Sequence, residues 1–390
     1  MKKFVLYLFL LCLACSPSET DDPFGETNTS QPGGNTAAPQ NSEGSSQNPA
    51  GTKGTHEVDL EDITRDFAVL METLNVNGAQ VAVMKDEKLV YLRSFGLADA
   101  FRGTRVSDNS LFRIGGISKP ITLMALSRLV SQGKLRTDDL VFGPDGILGT
   151  RYGRLPYQPL EMQITVGHLI EHRAGFIDVP YDIMFDDPAL SQSDLIGKVL
   201  DERDLAFEPG SSYAYSNFGY CLLGRIIEAV TGVSYQQYVF EQVLAPMGIS
   251  RMQVSRDGRG ETAPGEVTYY SSWASPYDLN VTRMDSHGGW LASAYDLALL
   301  AVQSDGGSRF KDLLQAGEGL DYLGGGIWNH NGALPGTTAL LRVSSGLSYV
   351  VLMNRGDANF PEVIQYIANF MNGKTLNRTE WPQRDYFRQL

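Results

Sequence analysis

Apolar positions in the first folded stretch recur with the spacing of a helix and then with that of strands. The helical spacing is carried by Ile63, Phe67, Leu70, Met71 and Leu74. Two runs rich in β-forming residues follow at 79–85 and 89–95, separated by the polar tripeptide 86–88. This pattern predicts a helix followed by a β-hairpin.

The middle of the chain has mainly helical periodicity. Leu123, Leu126 and Leu129 share one face of a predicted helix, and Gly133 is suited to stop it. Further helices are predicted over 168–171, 193–200, 218–231 and 235–244. Strand character then returns in runs 337–343 and 347–353, and an amphipathic helix ends near residue 372.

This order predicts an α/β (α+β) fold. Hairpins from both ends of the chain would form one antiparallel β-sheet flanked by helices. A mostly helical region, about residues 120–290, would be inserted between the two hairpins. The folded domain is predicted to cover residues 57–372, with a C-terminal tail at 373–390.

The N-terminus has the composition of an export signal followed by a linker. Residues 1–14 combine two lysines with an apolar run too short to span a membrane, which is typical of a signal peptide. The run ends in Cys12-Leu13-Ala14-Cys15, which resembles a bacterial lipoprotein cleavage site with Cys15 as the acylated residue. Residues 15–56 are predicted to be a disordered tether. An ordinary secretory signal cut nearby is the alternative.

The net charge of the chain limits the kinds of partner that it can bind. The 390-residue chain has a formal net charge of −13, which argues against nucleic acid as a partner. The membrane is expected to be reached through the lipid anchor, so the sequence predicts an exported, membrane-anchored lipoprotein that faces the periplasm or the cell surface.

The stretch before the first middle helix carries a candidate catalytic lysine. Pro120 suits a first helical turn, so Lys119 should project from the start of a buried helix. This stretch resembles the serine β-lactamase/penicillin-binding family, whose first motif is S-x-x-K at such a helix start. The position that holds the nucleophilic serine in that family is Gly116 here. Glycine has no side chain that could attack a carbonyl.

The resemblance extends to a second motif, Tyr215-Ser216-Asn217. In the family this motif handles protons, so Tyr215 is expected to act as a general base near Lys119. Asn217 is expected to hydrogen-bond Lys119 and a carbonyl of the ligand. The alternative is a chance turn before a helix, with Asn217 as its cap.

A third motif, His330-Asn331-Gly332, stands just before a predicted strand and resembles the His-x-Gly variant of the family's Lys-Thr-Gly. The resemblance implies that His330 and Gly332 line the site and that the backbone N–H groups of Ala333 and Gly116 form an oxyanion hole. The alternative is a glycine-rich hairpin entry with a surface histidine.

Two histidines, His168 and His172, have the i, i+4 spacing of a metal pair. The sequence offers no third ligand near them, and the family has a comparable segment without metal. Neither a metal nor a cofactor is therefore predicted. His287, before two glycines, is equally compatible with a place in the cleft and with an ordinary turn.

These features predict a pseudoenzyme that binds a small-molecule or peptide ligand, of peptide or amide type and of cell-wall origin, in a retained cleft. The alternative is an active serine hydrolase (esterase, DD-peptidase or β-lactamase-like) that uses Ser118 or another nucleophile. Ser118 is a weak substitute, because two residues along a helix turn it roughly 200° away from the vacant face. A purely structural envelope lipoprotein is the third possibility.

Overall fold

The computed structural model describes residues 59–305, 327–344 and 346–388. The strands in these ranges are β1 (Gly78–Lys85), β2 (Lys88–Asp99), β3 (Thr104–Arg105), β4 (Phe112–Arg113), β5 (Gln253–Val254), β6 (Trp290–Ala292), β7 (Ile327–Leu334), β8 (Thr337–Ser344) and β9 (Leu347–Met353). The α-helices are α1 (Glu61–Thr73), α2 (Ser118–Ser131), α3 (Val166–Ile170), α4 (Gln192–Glu202), α5 (Asn217–Thr231), α6 (Tyr235–Val239), α7 (Ala294–Val302) and α8 (Phe360–Thr375).

The main sheet joins the two ends of the domain. Its strand order within the described residues is β3-β2-β1-β9-β8-β7, and every neighbouring pair is antiparallel. The central pair is β1 with β9, in which Val81 lies opposite Val351. This confirms the predicted antiparallel sheet with a helical insertion.

Both faces of the sheet are covered, because successive side chains of a strand point to opposite sides. Val81 and Val83 pack against α1 and α8, whereas Ala82 and Met84 face α7 and the helical region. All four side chains are buried. Burial on both faces holds the sheet rigid and fixes its edge strand, β7, against the helical region.

Helix α2 runs through the centre of the helical region. A single 3-10 turn, Gly115–Ile117, leads into it, and Pro120 stands in its first turn as predicted. Nearly every side chain from Ser118 to Leu129 is buried. The start of α2 is therefore packed against its surroundings on all sides, and Lys119 is held in one place.

The structure differs from the sequence prediction in three places. The third motif lies within β7 and not before a strand, so His330 and Gly332 belong to the edge of the main sheet. A small sheet, β4-β6-β5, was not predicted. Helix α8 continues to Thr375, and the tail after it packs on β2, where Asp385 accepts a hydrogen bond from the N–H of Leu89.

The predicted signal peptide at 1–14, acylated Cys15 and the whole tether at 15–56 lie outside the described residues, as does residue 345. Among the residues that the structure does describe, no helix combines the length and the apolar character needed to cross a bilayer.

Candidate functional site

A cleft of about 460 Å³ opens between the start of α2, the segment after α3, the loop before α5 and strand β7. Three residues predicted from the motifs, Lys119, Tyr215 and His330, line this cleft. The other lining residues are Pro120, Leu123, Ile170, Glu171, His172, Arg173, Tyr213, Tyr220, Trp328 and Asn329. The structure thus brings together one side chain from each of the three motifs.

Lys119 is the buried cation of the cleft, with only 2% of its surface exposed. Its Nζ donates a hydrogen bond to the carbonyl oxygen of His287 at 3.2 Å. The same atom lies 4.9 Å from the ring centre of Tyr215 and 5.6 Å from that of Tyr220. The negative faces of aromatic rings attract a cation at such distances, so the two tyrosines help to hold the Lys119 side chain in place.

The Tyr-x-Asn motif is held by a carboxyl group that sequence analysis missed. The hydroxyl of Tyr215 donates to Oδ1 of Asn217 at 3.2 Å, and Nδ2 of Asn217 donates to Oδ2 of Asp182 at 2.6 Å. Asp182 is 2% exposed, and this burial raises the pKa of its carboxyl group. Nothing in the sequence marks Asp182, since it stands in an irregular loop before a single 3-10 turn.

This network gives both members of the motif partners within the protein. Oδ1 of Asn217 accepts a hydrogen bond from the Tyr215 hydroxyl, and Nδ2 of Asn217 donates one to Asp182. Nζ of Lys119 lies 4.9 Å from the centre of the Tyr215 ring. The general-base role of Tyr215 and the bonds of Asn217 to Lys119 and to a ligand stay predictions.

His172 fixes the same loop from the other side. Its Nδ1 accepts a hydrogen bond from the N–H of Ser216 at 3.1 Å, and its ring stacks on Tyr220 with centres 5.0 Å apart. Burial, followed by the charge of Lys119, lowers the pKa of His172 to about 3. His172 is therefore neutral at physiological pH and serves as a hydrogen-bond acceptor for the motif.

The two histidines considered as a metal pair have separate roles. His168 belongs to the capping box of α3, in which its Nδ1 accepts from the N–H of Thr165, while His172 stacks in the cleft. Over the described ranges, no group of three His, Cys, Asp or Glu side chains is placed to hold a metal ion.

His330 is half-buried on β7, and its Nδ1 donates to the carbonyl oxygen of Asn331 at 2.9 Å. Burial, with a smaller contribution from the charge of Lys119, lowers the pKa of His330 to about 4. His287 is also buried, and the same two causes hold its pKa well below the ordinary value. Lys119 is thus surrounded by neutral imidazoles.

The backbone of β7 packs directly against the turn that precedes α2. A Cβ atom added to Gly332 would stand 1.9 Å from the carbonyl oxygen of Ile114, so only glycine fits there. A Cβ added to Gly116 would stand 2.6 Å from the carbonyl oxygen of Asn331 and 3.2 Å from Cε1 of His330. The space that a serine side chain would need is therefore filled by the edge strand.

The predicted oxyanion residues take part in the same contact. The nitrogen of Ala333 lies 2.8 Å from the point where a Cβ of Gly115 would stand, so the backbones of Gly115 and Ala333 are brought close together. Gly116, Gly332 and Ala333 do not appear among the residues that line the cleft. The open part of the site thus lies on the side of Lys119 and the aromatic rings.

Ser118 lies away from this opening. Its side chain is fully buried, and its Oγ accepts a hydrogen bond from the N–H of Trp290 at 3.3 Å. The hydroxyl therefore links α2 to β6, which disfavours Ser118 as a substitute nucleophile.

The whole domain matches a known family. The Beta-lactamase family matches residues 63–370, which is most of the chain and nearly all of the described domain. The chain belongs to the beta-lactamase family. This agrees with the three motifs, with the sheet built from both ends of the domain and with the inserted helical region.

The beta-lactamase-family domain has curated relatives among penicillin-binding proteins and D-alanyl-D-alanine carboxypeptidases. It is 28% identical over 244 residues to penicillin-binding protein 4* of Bacillus subtilis, a match that covers 62% of this chain and 51% of that protein. It is 24% identical over 352 residues to a putative D-alanyl-D-alanine carboxypeptidase of Escherichia coli O157:H7, which covers 80% and 74%. The chain thus spans about half the length of the Bacillus protein.

Among solved structures, the octameric penicillin-binding protein homologue from Pyrococcus abyssi has the same fold. The TM-score is 0.64 at 23% sequence identity, and the match covers 81% of this chain and 78% of the other. At this level of identity the likeness concerns the fold alone, so function has to be argued from the site.

Proposed function

We propose that this beta-lactamase-family domain is a pseudoenzyme that binds a peptide- or amide-type ligand in the cleft beside Lys119. The proposal rests on one observation above all. The carbonyl oxygen of Asn331 fills the space of a side chain at Gly116, while a cleft of about 460 Å³ stays open around Lys119. The start of α2 therefore has no nucleophilic side chain at position 116, while the cleft beside Lys119 has room for a ligand.

The residues that line the cleft can make contacts with such a ligand. Trp328, Tyr213 and Tyr220 offer aromatic surface, and Lys119 offers a charged hydrogen-bond donor. Among the described strands, β7 pairs only with β8, and its Gly332 backbone packs against the turn before α2. The names of the relatives, penicillin-binding protein and D-alanyl-D-alanine carboxypeptidase, support a small peptide ligand derived from the cell wall.

The cellular setting is part of the same proposal. A signal peptide at 1–14, an acylated Cys15 and a tether up to residue 56 would hold the domain on a membrane as an exported lipoprotein. The tether would let the domain reach ligands at some distance from the bilayer, on the periplasmic or the surface side.

Two other functions make different demands on the site. An active serine hydrolase needs an accessible nucleophile, and the fully buried Ser118, bonded to Trp290, does not provide one. A purely structural lipoprotein would have no use for an open cleft that gathers Lys119, Tyr215 and His330. Ligand binding without acyl transfer therefore agrees best with the geometry.

Two measurements test the proposal. A fluorescent fluorophosphonate should leave the wild-type protein unlabelled, and labelling that disappears in Ser118→Ala would favour the active hydrolase. A thermal-shift screen with N-acyl dipeptides and their amides should find ligands that stabilise the wild type. Ligand stabilisation should be lost in Lys119→Ala, and a screen without any stabilising ligand would leave the structural function as the better account.

A further inference from the structure

The charges around the cleft leave one dominant cation. Glu171 and Arg173 pair with each other at 3.9 Å, both more than 40% exposed, so their charges largely cancel at the rim. His172 and His330 are neutral at physiological pH, because their pKa values lie at about 3 and about 4. Lys119 is the remaining charged group of the lining.

The nearest buried carboxyl group does not face the opening. The oxygens of Asp182 accept hydrogen bonds from Nδ2 of Asn217 and from the N–H of Met184, at 2.6 Å and 2.9 Å. Asp182 is absent from the lining residues; it is linked to the cleft by hydrogen bonds through Asn217 and Tyr215, and its carboxyl group interacts electrostatically with Lys119. A ligand in the cleft can therefore contact the Lys119 side chain but not the Asp182 carboxyl group.

Next to the ammonium, the lining is apolar or aromatic. The lining includes Leu123, Ile170, Trp328 and Tyr213. Such a wall suits an aromatic or aliphatic side chain, because burial of apolar area stabilises a complex. Since β7 fills the position beside Gly116, a ligand reaches Lys119 through the open cleft that these residues line.

We propose that the cleft selects ligands that carry a carboxylate next to an aromatic or aliphatic side chain, and that the ammonium of Lys119 binds the carboxylate. The inference rests on the proposed function and specifies its ligand class. Lys119, which stands at the start of α2 beside a missing nucleophile, would act as an anion-binding and specificity-determining residue. A hydrogen bond between two charged groups is roughly twice as strong as one between neutral groups.

The test compares two ligands that differ only in this charge, N-acetylphenylalanine and N-acetylphenylalaninamide, each as both enantiomers. Binding is measured by calorimetry or by ligand-observed NMR at pH 7. In the wild type the carboxylate should bind about tenfold or more tightly than the amide. Lys119→Met, which keeps the length of the side chain but removes its charge, should abolish the preference. Lys119→Arg should keep most of it.

Lys134→Met is the matched control, since Lys134 is exposed beyond the end of α2 and should not affect the preference. Near-ultraviolet circular dichroism of each variant checks that the fold is kept. Equal binding of acid and amide to the wild type, or a preference that survives in Lys119→Met, would overturn this inference and leave the proposed function intact. Failure of both ligands to bind the wild type would overturn both.

Discussion

The carbonyl oxygen of Asn331 lies 2.6 Å from the point where a Cβ of Gly116 would stand. Real Cβ atoms do not approach a carbonyl oxygen so closely, so any side chain at Gly116 has to displace β7. The glycine therefore does more than remove a nucleophile. It allows the edge strand of the main sheet to close on the turn that leads into α2.

We expect Gly116→Ala to lower the free energy of unfolding by about 1–3 kcal/mol, as is usual when a well-packed site is overfilled. Without the contact to β7, the same change would be neutral or favourable, because alanine restricts the unfolded chain more than glycine does. Urea denaturation followed by circular dichroism measures the difference.

The matched control is Gly373→Ala in α8, where an added Cβ has no neighbour within 4 Å. This helical glycine should give a gain of up to about 1 kcal/mol. If Gly116→Ala were as stabilising as Gly373→Ala, the inference that β7 packs tightly against the turn at Gly116 would be wrong.

Much of the architecture follows from periodicity. The two runs rich in β-forming residues within 79–95 predict the first hairpin, and the helical spacing in 218–231 predicts α5. Long amphipathic segments have few alternative ways to bury their apolar faces. The motif resemblance also singles out Lys119, Tyr215 and His330, which lie around one cleft.

Other features depend on distances that no local pattern encodes. The contact between Gly116 and Asn331 joins segments far apart in the sequence and depends on how closely two backbones approach. Asp182 stands in an irregular loop, where periodicity says nothing about burial. Strands β4 and β5 have two residues each, which is too short to show an alternating pattern.

Ser118→Ala is expected to destabilise the fold and to have no effect on the reaction of the protein with a fluorophosphonate. The substitution removes the acceptor for the N–H of Trp290 in a fully buried position. An unsatisfied buried donor costs about 1–3 kcal/mol, which thermal or urea denaturation would detect. Ser131→Ala, at the exposed end of the same helix, should change stability by much less. Fluorophosphonate labelling of the wild type that is lost in Ser118→Ala would contradict a purely structural role for Ser118 and would favour the active-hydrolase alternative.

Cys15 is expected to be the acylated N-terminus of the mature protein. Its position after an apolar run and before a tether is the basis of this prediction. Mass spectrometry of protein purified from membranes should find a chain that begins at Cys15 and carries lipid. Cys15→Ser should move the protein to the soluble fraction. An unmodified N-terminus beyond residue 15 would refute the prediction.

Three histidines near Lys119 should make the stability of the domain sensitive to acid below neutral pH. The pKa values of His172 and His330 are lowered from 6.5 to about 3 and about 4, and that of His287 is also lowered. Between pH 6.5 and about 4 these histidines are therefore mostly protonated in the unfolded chain and mostly neutral in the folded chain. Their contribution to stability is fully present above pH 6.5 and is lost as the pH falls.

The free energy of unfolding should thus rise with pH across this window, by up to about 1.4 kcal/mol per pH unit for each histidine. The raised pKa of Asp182 acts in the opposite direction, since its protonated form is favoured by folding and that contribution is lost as the pH rises. Urea denaturation at half-unit steps from pH 4.5 to 7.5 gives the slope. His330→Gln replaces the titrating ring by a neutral amide and should flatten the slope by about one histidine's share. An unchanged slope would mean that the His330 ring takes up protons as readily in the folded protein as in the unfolded chain, so that it is not held neutral beside Lys119.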